Sequence, residues 1–121
     1  MATGVIQERF TVKVETVDGA VVLALAGELD HDTASALRRA LDAALVRAAR
    51  LVVDLTELGF CDSAGLNELL RGRLAVQEAG GAFRVVEPRG PVARMFRITG
   101  VDRVFDVYAD VAQALGRGGG T

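Results

Sequence analysis

Val52-Val53-Asp54-Leu55-Thr56-Glu57-Leu58-Gly59-Phe60-Cys61-Asp62-Ser63-Ala64-Gly65-Leu66 is the stretch on which the reading of this chain turns. It reads as a buried strand, a short loop and the start of a helix. Leu51 to Val53 is apolar and β-branched, the pattern of a strand covered on both faces. Asp62 and Ser63 stand where a helical period begins. Both are residue types favoured there, because a side-chain oxygen accepts from backbone N–H groups that have no partner in the first turn. Ser63 is therefore expected at the mouth of a helix and at the carboxyl end of a strand. In open α/β sheets that is where ligands and partners are met.

Upstream, Phe10, Val12 and Val14 alternate with Thr11, Lys13 and Glu15, the period of a half-buried strand. Asp18-Gly19 is a turn pair, and Ala20 to Ala26 returns as the second strand of a hairpin. Gly27 to Thr33 breaks the pattern, and Asp30, Asp32 or Thr33 is placed to cap the next helix. Ala34, Leu37, Leu41, Ala44, Leu45 and Ala48 fall on one helical face, with Arg38, Arg39 and Asp42 away from it. That helix is expected to end near Ala49, and the third strand to cover Leu51 to Leu55.

Downstream, the helix opened by Ser63 directs Leu66, Leu69, Leu70 and Leu74 inward, and Gly80-Gly81 stops it. Ala82 to Val86 is a fourth strand. Pro91 suits the first turn of a short helix that buries Val92, Met95 and Phe96 and ends by Gly100. Val104 to Val107 is a last strand and Asp110 to Leu115 a terminal helix. The order β-β-α-β-α-β-α-β-α predicts an α/β fold: a mixed sheet, parallel where strands are joined through helices, with helices over it. All 121 residues read as one domain, with an ordered core over 9–115 and a glycine-rich tail over 116–121.

Composition narrows the function classes. Hydrophobic residues make up 50% and charged residues 25%, enough for a packed core. The formal net charge of −2 and the lack of a basic run argue against nucleic acid as a partner. No apolar run approaches the ~20 residues needed to span a bilayer, and the first residues lack a signal-peptide pattern. The single cysteine, Cys61, and the single histidine, His31, exclude a cysteine or histidine metal cluster. A cytoplasmic binding domain without a metal or cofactor is the expectation.

Gly27-Glu28-Leu29-Asp30-His31 with Thr33-Ala34 downstream, and Phe60-Cys61-Asp62-Ser63-Ala64-Gly65-Leu66, together resemble the STAS domain, and more closely the bacterial anti-sigma factor antagonists. The resemblance runs from about Phe10 to Leu115. It implies a STAS-like fold and a protein that is not an enzyme. It implies that Ser63 is phosphorylated by the partner, an anti-sigma factor that is also a serine kinase with a histidine-kinase-like ATPase fold. It implies that a metal-dependent serine phosphatase resets the site. Asp62 is then needed for docking and phosphorylation, and Asp30 of the first loop lies on the same surface. The partner-binding set is Asp30, Asp62, Ser63, Ala64, Gly65 and Leu66. Two departures stand out: Ala64 replaces the second hydroxyl residue that many members carry, and Asn67 replaces a frequent glycine.

Several residues have a plainer reading beside this one. Ser63 or Asp62 serves as a helix cap, and Asp30 and Asp32 as acids of a helix's first turn. Glu28 reads as a solvated loop acid, and Leu58 and Phe60 as packing under the loop. Arg71 and Arg73 read as a solvated face that would flank a docked partner. Gly65 reads as clearance for a partner's backbone or for ATP. A rival enzyme reading makes Ser63 a nucleophile with His31 as base, although no Gly-x-Ser-x-Gly elbow is present. Another keeps the fold but makes the chain a STAS subunit of a larger sensory or transport-associated complex.

Overall fold

Asp18-Gly19 forms the expected tight turn, with φ of 51° and 79° at its two residues. A computed structural model describes residues 3–7, by backbone alone, and residues 9–116. The strands are β1 (Thr3–Gln7), β2 (Phe10–Val17), β3 (Ala20–Leu29), β4 (Arg50–Cys61), β5 (Ala82–Val86) and β6 (Asp106–Tyr108). The helices are α1 (Ala34–Arg47), α2 (Ser63–Glu78), α3 (Gly90–Thr99) and α4 (Val111–Ala114), with one 3-10 turn at Val101–Arg103.

The strands lie in chain order, β1-β2-β3-β4-β5-β6, in one sheet. The pairs β1–β2 and β2–β3 are antiparallel, and β3–β4, β4–β5 and β5–β6 are parallel. Right-handed crossovers between neighbours laid down in sequence put their helices on one face. Accordingly Leu37 of α1, Leu69 of α2 and Phe96 of α3 share a core with Leu23, Val53 and Val85 of the sheet. On the other face Ala114 and Leu115, at the end of α4, cover Ala20, Val22, Val52 and Val86. The run Leu51-Val52-Val53 is thus buried on both sides, as its composition requires.

The sheet differs from the sequence expectation at its edges and at its centre. β1 precedes the predicted hairpin and pairs with β2 from Thr3↔Val14 to Gln7↔Phe10. β3 continues past Ala26 to Leu29, and β4 past Leu55 to Cys61. The two extensions pair with each other, through Glu28↔Phe60 and Leu29↔Cys61. The β4 extension was illegible as a strand because β4 carries extra residues between Asp54 and Glu57 and between Leu58 and Phe60 relative to β3. Its buried side chains there, Leu55, Leu58 and Cys61, recur every third residue, so no period of two is visible.

Two apolar side chains expected inside are outside. Leu74 is 54% exposed, because the buried face of α2 runs through Gly65, Leu66, Leu69, Gly72 and Val76. At 100° per residue Leu74 falls nearly opposite Gly72. Phe60 does not pack under the loop and is 47% exposed. The last strand begins at Asp106 rather than Val104, since Val101–Arg103 winds into a helical turn first. Most of the predicted glycine-rich tail, 117–121, lies outside the described residues.

Candidate functional site

The carboxyl ends of β3 and β4 are adjacent, so the segments that follow them meet. Asp62 caps α2 in extended backbone, and its Oδ1 accepts from the Gly65 amide at 2.9 Å. Its Oδ2 accepts from the His31 amide at 3.2 Å, and its own amide donates to the Leu29 carbonyl at 3.1 Å. One carboxylate therefore fixes both the start of α2 and the loop after β3. Ser63 follows as the first helical residue and is exposed. Its hydroxyl has no hydrogen-bond partner among the described residues. The capping role thus belongs to Asp62, leaving the Ser63 oxygen unengaged at the positive end of the helix.

Asp30 is the polar centre of the first loop. Its Oδ1 accepts from the amides of Asp32 at 2.9 Å and Thr33 at 3.1 Å, folding the chain into α1. Its Oδ2 accepts from the Arg9 guanidinium at 2.7 Å. Hydrogen bonding from Arg9, aided by the loop amides, holds the carboxyl near pKa about 2. Its side chain is only 14% exposed, so Asp30 is first a scaffold of the loop. Thr33, expected as a possible cap, does stand at the N-cap position of α1 but makes no side-chain capping bond. It is buried, its hydroxyl donating to the Glu28 carbonyl at 2.9 Å and accepting from the Asp30 amide at 2.9 Å. Asp32 does not cap; its carboxylate stands 3.2 Å from His31 Nε2 and 3.6 Å from Arg9. Glu28, rather than being a loop acid, lies in β3 and accepts from Arg9 at 2.6 Å.

Arg9 is the residue that sequence reasoning missed. It stands between β1 and β2, and its carbonyl accepts from the Glu28 amide at 2.8 Å. Gly27, at φ 94°, makes this approach possible, because a Cβ there would run into that same carbonyl. No motif flags Arg9; the pairing of Phe10 with Gly27 brings it to Glu28 and Asp30.

The expected contact set divides. Asp62, Ser63 and the half-buried Ala64 form the accessible rim with the loop of Asp30. Gly65 and Leu66 are buried. A Cβ on Gly65 would stand 2.6 Å from Leu29 Cγ and 2.9 Å from the Leu29 carbonyl oxygen. The missing side chain admits β3, so Gly65 offers no clearance to a partner. Arg71 does not flank Ser63 freely; it binds Glu68 at 2.6 Å and Asp42 of α1 at 3.0 Å. The ring nitrogens of His31 face Asp32 and Asp62, and no hydrogen bond joins His31 to Ser63 among the described residues. A nucleophile–base pair is therefore not assembled. Burial, with the nearby Asp62 charge, pushes the Cys61 thiol up to about 12, an inert packing group. Among the described residues no group of His, Cys, Asp or Glu is placed to hold a metal ion, and no helix is long and apolar enough to cross a membrane.

A mixed sheet with its crossover helices on one face, and a serine at the mouth of the helix after its central parallel strand, define a STAS-type architecture. The family model described as "Mlab, STAS domain" matches residues 12–109, and the chain belongs to the STAS domain family. Its relatives are anti-sigma factor antagonists, which are regulatory binding proteins rather than enzymes. An anti-sigma F factor antagonist of Paenibacillus polymyxa is 31% identical over 80% of this chain and 85% of its own. The anti-sigma-F factor antagonist RsfB of Mycobacterium tuberculosis is 32% identical over 89% of this chain and 88% of its own. The crystal structure of an anti-sigma factor antagonist from Mycobacterium paratuberculosis superposes with a TM-score of 0.79, at 34% identity, covering 93% of this chain and 96% of that one.

Proposed function

We propose that the unphosphorylated chain binds an anti-sigma factor that is itself a serine kinase, and so releases a sigma factor in the cytoplasm. Phosphorylation of Ser63 ends the interaction, and a metal-dependent serine phosphatase restores it. The observation that carries this reading is the exposed, unpartnered Ser63 hydroxyl held between a strand end and a helix start by the Asp62 cap. A phosphoryl acceptor must be both accessible and fixed, and rigid elements on either side of it provide that.

Phosphate adds about −1.5 to −2 charge. Inside the domain the cost is small, since a helix N-terminus favours an anion by roughly 0.3–1 kcal/mol. At an interface the new charge stands beside Asp62 and must be desolvated. A loss of about 3–4 kcal/mol there weakens binding by roughly 10²–10³-fold. One residue thereby supports a tight and a weak state without refolding.

The test is incubation with anti-sigma factor kinases and ATP, reading phosphate on wild type and on Ser63→Ala, followed by calorimetric titration of both phosphorylation states. Phosphate on wild type alone, with much weaker binding afterwards, is the expected result. Equal affinity of the two states, or equal labelling of Ser63→Ala, overturns the switch.

A further inference from the structure

The chain leaves one of its phenyl rings half in water, beside the site. Phe10, Phe83, Phe96 and Phe105 are each no more than 5% exposed, whereas Phe60 is 47% exposed. Phe60 is not a chance surface residue on a helix flank. It stands near the carboxyl end of β4, shortly before Asp62, and is in register with Glu28 of β3. Glu28 in turn holds Arg9, which also holds Asp30. An aromatic side chain carries a large apolar area, and here the domain's own core does not take it up. Its register neighbour Glu28 belongs to an acidic group at this end of the sheet: Arg9 holds Glu28, Asp30 and Asp32, and Asp62 is bonded to the same loop through the His31 amide.

We infer that Phe60 is the apolar anchor of the surface that carries Ser63, and that the partner meets it with an apolar pocket rimmed by basic side chains. The inference rests on the proposed function and specifies the partner's side of that same docking surface. A buried aromatic at the centre, surrounded by charged groups that exclude water, is the pattern in which a few residues carry most of an interface's affinity. The occupant is an anti-sigma protein surface rather than a second copy of this chain, because the acidic rim would repel itself across a two-fold axis. The anchor also explains how docking is specified apart from phosphorylation. Ser63 reports the state of the switch, and the ring of Phe60 supplies affinity in the state where the switch is on.

The experiment is calorimetric titration with an anti-sigma factor kinase that binds the wild-type chain, against wild type, Phe60→Ala and Leu74→Ala, at low and high salt. Leu74 is the control, an apolar side chain 54% exposed on α2. Phe60→Ala is expected to weaken binding by about tenfold or more, Leu74→Ala by less than about twofold, and wild-type affinity to fall as salt rises. Unchanged affinity of Phe60→Ala, equal loss in Leu74→Ala, or mixing of the chain with itself giving the same heat overturns the inference. Should Phe60→Ala lose its fold, 4-fluorophenylalanine incorporation reads the same point. The fluorine resonance removed by Phe60→Tyr must shift on complex formation, and an unmoved resonance overturns the inference. A kinase that binds wild type yet leaves Ser63 unlabelled overturns the phosphorylation switch and leaves the affinity comparison intact.

Discussion

His31 and Asp62, far apart in sequence, are joined by a hydrogen bond from the His31 amide to Asp62 Oδ2 at 3.2 Å. The other oxygen of the same carboxylate caps α2 through the Gly65 amide at 2.9 Å. Removing the carboxylate deletes a helix cap and an inter-loop bond together. Asp62→Ala is expected to lower stability by about 1–2 kcal/mol, beyond any loss of partner binding. Urea denaturation checks this. The midpoint falls with an unchanged slope, because the rest of the core is untouched.

Acid dependence should follow Asp30. Hydrogen bonds from Arg9 and from the loop amides hold its carboxyl near about 2, below the ordinary carboxylate value of 3.8. A depressed carboxylate contributes stability that is complete above its unfolded pKa and is lost as pH falls through the folded one. The loss therefore belongs to the window from about pH 4 down to about pH 2. In Arg9→Ala the Asp30 carboxyl moves back toward its ordinary value and this step shrinks. Unfolding transitions recorded from pH 5 to pH 2 on wild type, Arg9→Ala and Asp30→Asn give the comparison, and equal profiles would contradict the role of Arg9.

Cys61 should behave as a core residue in spite of its place beside the site. Burial, reinforced by Asp62, raises its thiol to about 12. The thiolate is the reactive species, so at pH 8 iodoacetamide should label the folded protein at least about tenfold more slowly than the urea-unfolded chain. Mass spectrometry with and without denaturant reads the ratio.

How far these features were legible depends on the kind of interaction that sets them. The double-sided burial of Leu51 to Val53 and the helix start at Asp62 and Ser63 follow from local chemistry, so residue types alone place them. Phe60 and the second half of β4 were misplaced because added residues relative to β3 replace alternation with a spacing of three, and nothing local announces such a bulge. Leu74 was misplaced for a related reason. The inward stripe of α2 is completed by Gly72, whose lack of a side chain hides it from any hydrophobic pattern. Arg9 was invisible because only the pairing of β2 with β3 brings it to Asp30. The site's accessible serine was readable; the scaffold that holds it was long-range.

Gly65 and Gly72 both lie on the buried side of α2, yet replacing them by alanine should have unequal effects. Alanine gains roughly 1 kcal/mol over glycine in a helix interior. At Gly72 the new methyl would stand 2.8 Å from Leu41 Cδ1 and 3.2 Å from Cδ2, the far end of a buried side chain that can give by rotation where a backbone atom cannot. At Gly65 it would stand 2.9 Å from the Leu29 carbonyl oxygen, as well as 2.6 Å from Leu29 Cγ. That backbone is fixed, since the same carbonyl accepts from the Asp62 amide. Gly72→Ala is expected to be within about 1 kcal/mol of wild type, and Gly65→Ala to be destabilised by about 1–3 kcal/mol. The Gly65 variant must push the start of α2 away from β3, so it should also slow the proposed phosphate transfer to Ser63, which Gly72→Ala leaves alone. Denaturation midpoints and initial rates of labelling, measured on both variants, test the pair. Equal stabilities would mean that the close approach of α2 to Leu29 is not what holds the serine in place.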